Sequence, residues 1–174
     1  MLEGEIIPVS GLTVEQRLGM FRLMDRYYSG VNRGRFERDL QEKDWVILMH
    51  GSNGEVLGFS TQMVYPLVYK GREIRTVFSG DTIVDSHYWG DNPLALLWGR
   101  LVVDLMEEQG GEWYWFLIVQ GYKTYRFLPI FFYDYYPRYN AETPYWARDL
   151  MTALGGSKFG PKYDAAHGIV RHAQ

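Results

Sequence analysis

Cysteine is absent from the 174 residues. Its absence excludes a disulfide framework, Cys-ligated zinc and a thiol nucleophile. Charge of one sign is also lacking: 18 Lys and Arg stand against 21 Asp and Glu, a formal net charge of −3, and no basic run interrupts the chain. Nucleic acid is therefore not an expected partner. Long apolar runs are missing too. The stretch 127–133 is far shorter than a membrane span. The opening MLEGEIIPVS has neither a positive n-region nor an apolar h-region, so no secretory signal is expected and the cytoplasm is the expected compartment. There is no His-Glu-x-x-His, no Gly-x-Ser-x-Gly and no P-loop lysine motif. His50, His87, His167 and His172 lack ligand spacing, so no metal is expected.

What is present fits one globular domain over 1–174, long enough for a core without staples. Apolar residues make up 47% and charged residues 22%, both ordinary, whereas the aromatic share of 17% is high. Trp45, Tyr65, Tyr69, Trp113, Trp115 and the tyrosines of 133–136 suit either an aromatic core or a large apolar pocket, and both readings stay open.

Periodicity and turn chemistry predict the order of elements. Residues 5–9 read as a strand, and Thr13 with Gln16 forms a capping-box pair opening a helix to about Tyr28. Residues 33–43 read as a charged helix. Strands follow over 45–50, 56–69 and 75–85, turned by Ser52-Asn53-Gly54 and by Tyr69-Lys70-Gly71-Arg72. Asn92-Pro93 suits a helix start, and Leu94, Leu97, Leu101 and Leu105 fall at helical spacing before Gly110-Gly111. The run 113–120 reads as a strand covered on both faces. A helix after Gly121 is expected to end or kink near Leu128, ahead of Pro129. A helix over 144–154 and a strand over 168–172 complete the chain. Joining 75–85 to 113–120 through one helix requires those two strands to run parallel.

This order resembles the GCN5-related N-acetyltransferase superfamily over nearly the whole chain. The resemblance implies an α/β fold: a central mixed sheet with splayed fourth and fifth strands, flanked by helices. In that family a Gln/Arg-x-x-Gly-x-Gly/Ala loop cradles the coenzyme A pyrophosphate, and pantetheine pairs with exposed main chain of the fourth strand. The matching loop here is His87-Tyr88-Trp89-Gly90-Asp91-Asn92, with His87, Gly90 and Asn92 at the three motif positions. The resemblance thus implies donor contacts at Ile83, Val84, His87, Gly90, Asp91, Asn92 and, as a nearby cation, Lys123. Tyr122-Lys123-Thr124-Tyr125-Arg126-Phe127-Leu128-Pro129 is similar to uncharacterised members as well.

The loop departs from the family pattern. Asp91 brings a carboxylate toward the anion, Asn92 adds a side chain where backbone should close in, and Pro93 removes an N–H donor. An Asp–phosphate contact at ~5 Å would cost on the order of a few kcal/mol at an effective dielectric near 20. Weak coenzyme A binding is the expectation. The donor is then an acyl-CoA held by other groups, an acyl carrier protein thioester, or none.

Acyl transfer to an amine needs a base and an acid. Strand alternation puts Asp81 on the face of Val77, Ser79 and Ile83, where apolar neighbours should raise its pKa. It is either the base or a salt-bridged structural carboxylate. Asp85 reads as a turn or cap residue. The family's acid is a Tyr early in the helix after the fifth strand, which implies Tyr125. The expected function is transfer of an acyl group from a thioester to a small-molecule or peptide amine, with an acyl carrier protein and a second copy of the chain as expected partners. The alternative is a non-catalytic module of the same fold that binds a ligand or partner.

Overall fold

The computed structural model describes residues 2–90, 93–119 and 121–171, with only the backbone of Lys123. The chain divides into two compact units, Met1–Pro66 with Ile74–Leu117, and Leu67–Glu73 with Ile118–Gln174.

The first unit is built on a five-stranded sheet in the order β1-β2-β3-β4-β5. These strands are β1 Glu3–Pro8, β2 Trp45–His50, β3 Val56–Tyr69, β4 Arg72–Val84 and β5 Trp113–Leu117. β1 and β2 pair antiparallel, as do β2 and β3, whereas β4 and β5 pair parallel from Arg75↔Trp113 to Ser79↔Leu117. The helix between the last two, α3 Leu94–Gln109, supplies the crossover that parallel pairing requires. A mixed sheet flanked by helices is thus the architecture, as expected.

Two helices precede β2. α1, Val14–Tyr27, starts at Thr13, whose hydroxyl accepts from Gln16 N at 3.1 Å while the Gln16 side chain accepts from Thr13 N at 2.8 Å. α2, Arg33–Gln41, starts at Asn32, whose side chain accepts from Arg35 N at 3.0 Å. Their apolar faces, with Met20, Leu23, Phe36 and Leu40, pack on Val46, Leu48, Phe59 and Ile83 of the sheet. A second cluster joins Val77 to Leu101 and Leu105 of α3, with Trp45 and Trp113 against it. Alternation in β2 accounts for both: Val46 and Leu48 face one layer and Trp45 the other.

Several boundaries differ from expectation for local reasons. α3 begins at Leu94, with Pro93 in the cap position and its carbonyl accepting from Leu97 N at 3.0 Å. Asn92 and Asp91 lie outside the described residues, and so do Gln120 and His172. β5 ends at Leu117 and is half-buried throughout, not covered on both faces.

In the second unit, the helix expected after Gly121 is two short ones, α4 Tyr122–Tyr125 and α5 Phe127–Phe131. The break falls at Arg126, and α5 runs through Pro129. Pro129 is the third residue of α5, in the first turn, where no intrahelical N–H bond is lost. α6, Tyr145–Phe159, continues past Leu154 through Gly155 and Gly156. Gly155 is buried there because any Cβ would stand 2.6 Å from the Tyr163 ring. The final strand is short, β7 Ile169–Val170, and pairs antiparallel with β6 Tyr163–Asp164.

Candidate active site

β4 does not alternate along its whole length, and this decides where its functional groups point. On β3, Ser60 and Gln62 are two residues apart and share a face. Ser60 Oγ lies 2.7 Å from Thr82 Oγ1, Gln62 Nε2 donates to Ser60 Oγ at 2.7 Å, and Ser79 Oγ donates to Gln62 Oε1 at 2.7 Å. Trp115 Nε1 of β5 donates to Ser79 Oγ at 2.8 Å. Ser79 and Thr82 therefore share the α3 face although they are three positions apart, which strict alternation forbids. One extra residue must lie between them, a β-bulge at Gly80-Asp81. Gly80 points to the opposite face, where a Cβ would meet Thr61 Oγ1 at 2.6 Å and Lys43 Cε at 2.8 Å.

The bulge corrects the position expected for Asp81. It does not share the face of Val77 and Ser79; it shares that of Ile83, which packs with Phe36 and Leu40 of α2. Its carboxyl is half-buried and has no hydrogen bond or ion pair among the described residues. Burial raises its pKa above the ordinary carboxylate value, Asp39 raises it further, and Lys43 and Arg35 oppose the rise. The salt-bridged arrangement is absent: the nearby Lys43 is taken by Asp39, with Nζ donating to Asp39 Oδ2 and Asp39 O, both at 2.9 Å. The Lys43 side chain is only 2% exposed. Nothing in the sequence marks this lysine, because Asp39 and Lys43 read as an ordinary i,i+4 surface pair.

Past the bulge, β4 continues without β5. The last pair is Ser79↔Leu117, and β4 runs on to Val84. Main-chain direction along this stretch follows from two contacts. Ile83 O lies 3.2 Å from where a Cβ of Gly58 would stand, and Asp85 N donates to Leu57 O at 2.8 Å, so both face β3. Val84, between them, presents its N–H and C=O to the open side, and Thr82, two residues earlier, does the same. Of the two strand residues expected to contact a donor, Val84 has its main chain on the open edge. Ile83 does not: its main chain is turned to β3, and its side chain, 6% exposed, lies in the core.

The loop after β4 is ordered by Asp85. It caps a short 3-10 turn, Ser86–Tyr88, by accepting from His87 N at 3.1 Å. Its Oδ1 also meets His87 Nδ1 at 2.8 Å, and its Oδ2 accepts from Arg26 at 3.0 Å. The His87 bond is the main cause that holds the Asp85 carboxyl below its ordinary range. The His87 side chain is 85% exposed. Gly90 is exposed with open space around it. Trp89 Nε1 donates to Val84 O at 2.8 Å. Asp91, Asn92 and the Lys123 side chain lie outside the described residues.

Tyr125 belongs to the second unit. Its hydroxyl donates to Pro137 O at 2.9 Å, and burial raises its pKa. Tyr69 and Lys70 both bond Asp149 of α6, at 2.6 and 2.7 Å. Much of the aromatic content of this unit is at its surface: Tyr133, Tyr139 and Tyr145 are 93%, 81% and 79% exposed. Among the described residues there is no cluster of metal-ligating side chains, and no helix is long and apolar enough to cross a membrane.

No family model matches the sequence, and no curated protein matches it either. Solved structures do match. An aminoglycoside 6'-N-acetyltransferase from Acinetobacter baumannii is similar with a TM-score of 0.58 at 9% identity, over 82% of this chain and 98% of that one. A ribosomal-protein-alanine N-acetyltransferase from Brucella melitensis biovar Abortus gives 0.56 at 12%, over 83% and 100%. Glucosamine-6-phosphate N-acetyltransferase from Arabidopsis thaliana gives 0.54 at 12%, over 83% and 99%. The shared feature is a mixed sheet with a parallel β4–β5 pair between helices, and the chain therefore has the fold of the GCN5-related N-acetyltransferases.

Proposed function

We propose that the chain is an acyltransferase, moving an acyl group from a pantetheine thioester, acyl-CoA or acyl carrier protein, to a small-molecule or peptide amine. The observation that carries this reading is the Asp81 carboxyl, without a partner among the described residues and held in a bulge just where β4 loses its β5 neighbour. The main chain of Thr82 and Val84, on the edge that β5 does not pair with, suits an extended arm rich in amides, because a sheet edge binds such an arm as another strand would, although Val84 O also accepts from Trp89. His87, 85% exposed in the turn after β4, has Nδ1 held by Asp85, which leaves Nε2 for a donor phosphate.

In the proposed reaction Asp81 takes the proton of the acceptor ammonium, and the freed amine attacks the thioester carbonyl. The C–N bond forms as the C–S bond breaks, and the departing thiolate takes up the proton that the attacking amine nitrogen gives up. Burial suits Asp81 to the first step, since a more basic carboxylate accepts a proton more readily near neutral pH.

A donor and acceptor screen tests the proposal. Acetyl-CoA, a long-chain acyl-CoA and an acylated carrier protein are each mixed with a panel of amines, and amide product is measured by mass spectrometry. One donor should give product and, at 100 times its Kd, stabilise the fold by about 2.7 kcal/mol. The alternative, a binding module, draws on the exposed tyrosines of the second unit. Stabilisation by a donor with no product from any amine would favour it.

A further inference from the structure

Thr82 stands at the outer end of a series of hydrogen bonds whose direction is set from its buried start. An indole N–H only donates, and a hydroxyl has one hydrogen and two lone pairs. Trp115 Nε1 fills a lone pair of Ser79 Oγ, and the Ser79 hydrogen goes on to Gln62 Oε1. The other end of that amide, Nε2, donates to Ser60 Oγ. Turning the Gln62 amide over would set its NH2 against Ser79 and leave the hydrogen of that buried hydroxyl without an acceptor. Ser60 is buried too, and the acceptor for its own hydrogen among the described residues is Thr82 Oγ1, at 2.7 Å. Thr82 therefore receives a hydrogen bond and keeps its own hydrogen to give. The acceptor it has for that hydrogen among the described residues is Gly80 O at 3.4 Å, outside the ordinary O–H···O range of about 2.5–3.0 Å. Thr82 is exposed, on the stretch of β4 that runs beyond β5.

From this geometry we infer that Thr82 binds substrate: its hydroxyl, turned outward by Ser60, donates to the carbonyl oxygen of the thioester. The inference rests on the proposal that a pantetheine thioester lies along this edge. A carbonyl oxygen only accepts, so it matches a hydroxyl whose lone pair is already engaged and whose hydrogen lacks a close acceptor. Position agrees with this chemistry. Asp81 and Thr82 are consecutive, and the bulge sends Asp81 to the α2 face while Thr82 keeps the α3 face. A thioester near enough to Asp81 for the freed amine to attack it therefore lies beside Thr82 as well.

The test compares the unmodified protein with Thr82→Val, which keeps the shape without the hydroxyl, and Thr82→Ser, which keeps the hydroxyl. The probes are acetyl-CoA and an acetylated acyl carrier protein, each 13C-labelled at the thioester carbonyl, beside their free-thiol forms. Calorimetry gives affinity, and difference infrared spectroscopy gives the labelled carbonyl stretch. On the unmodified protein and on Thr82→Ser, the stretch of a bound probe should fall below its value in water. On Thr82→Val it should rise back, and the acetylated form should bind roughly two- to tenfold more weakly, as the loss of one ordinary hydrogen bond predicts. The free-thiol form should bind all three proteins alike. Whichever probe shows this pattern names the source of the thioester. A probe whose stretch and affinity are the same on Thr82→Val, or whose thiol form loses as much affinity as the acetylated one, overturns the inference while the donor proposal stands. Should Thr82→Val not fold, the unmodified protein decides: a stretch below the value in water supports the inference, and one at or above it overturns it. If neither probe binds the unmodified protein, both the inference and the donor proposal are overturned.

Discussion

Asp81 differs from Asp39 and Asp85 in what it lacks. Asp39 holds Lys43, and Asp85 holds Arg26 and His87, whereas Asp81 is half-buried with no partner among the described residues. Its raised pKa has a consequence for stability whose sign can be worked out. Between the ordinary value of 3.8 and the raised one, the folded chain keeps a proton that the unfolded chain releases. Stability therefore falls as pH rises through that window and stays lower above it. Asp81→Asn removes the penalty. Its melting temperature should exceed that of the unmodified protein near neutral pH, with the difference shrinking as pH falls toward 3.8. A loss of melting temperature at neutral pH would mean that Asp81 has a stabilising partner in solution. The sequence pointed to Asp81 through its place mid-strand among apolar residues, and to Asp85 as a cap. It did not reveal Lys43, because burial of a lysine in an i,i+4 pair depends on what packs over it.

At the scale of elements, patterns carried by neighbours along the chain were legible, and those set by distant contacts were not. The Thr13 capping box, the leucine spacing of α3 and the glycines after it are local signals, and the helices formed where they indicated. The bulge in β4 depends on hydrogen bonds to Ser60 and Gln62 of β3, so strict alternation put Asp81 on the wrong face. The end of β5 at Leu117 and the break at Arg126 were likewise invisible in apolar content. The extension of α6 through two glycines has a tertiary cause as well, and it predicts opposite outcomes at adjacent positions. Gly155→Ala drives a methyl into the Tyr163 ring and should destabilise by about 1–3 kcal/mol. Gly156→Ala meets nothing and should stabilise by roughly 0.5–1 kcal/mol through helix propensity. Denaturant midpoints of the two variants check this; equal shifts of the same sign would contradict the packing described for α6.

For the whole molecule, the order of elements led to the fold, and solved structures at 9–12% identity agree with it. Such distant likeness leaves the reaction to be argued from the site. The proposed chemistry centres on one strand: a bulge turns Asp81 toward α2, and the edge beyond it ends at a carbonyl that accepts from Trp89. The most direct test of that claim is the turnover of Asp81→Asn beside the unmodified protein, with the donor and amine that the screen identifies. A general base acts on the chemical step, so turnover should fall by about 10²-fold or more while donor affinity hardly changes. Turnover within about twofold of the unmodified protein would contradict it.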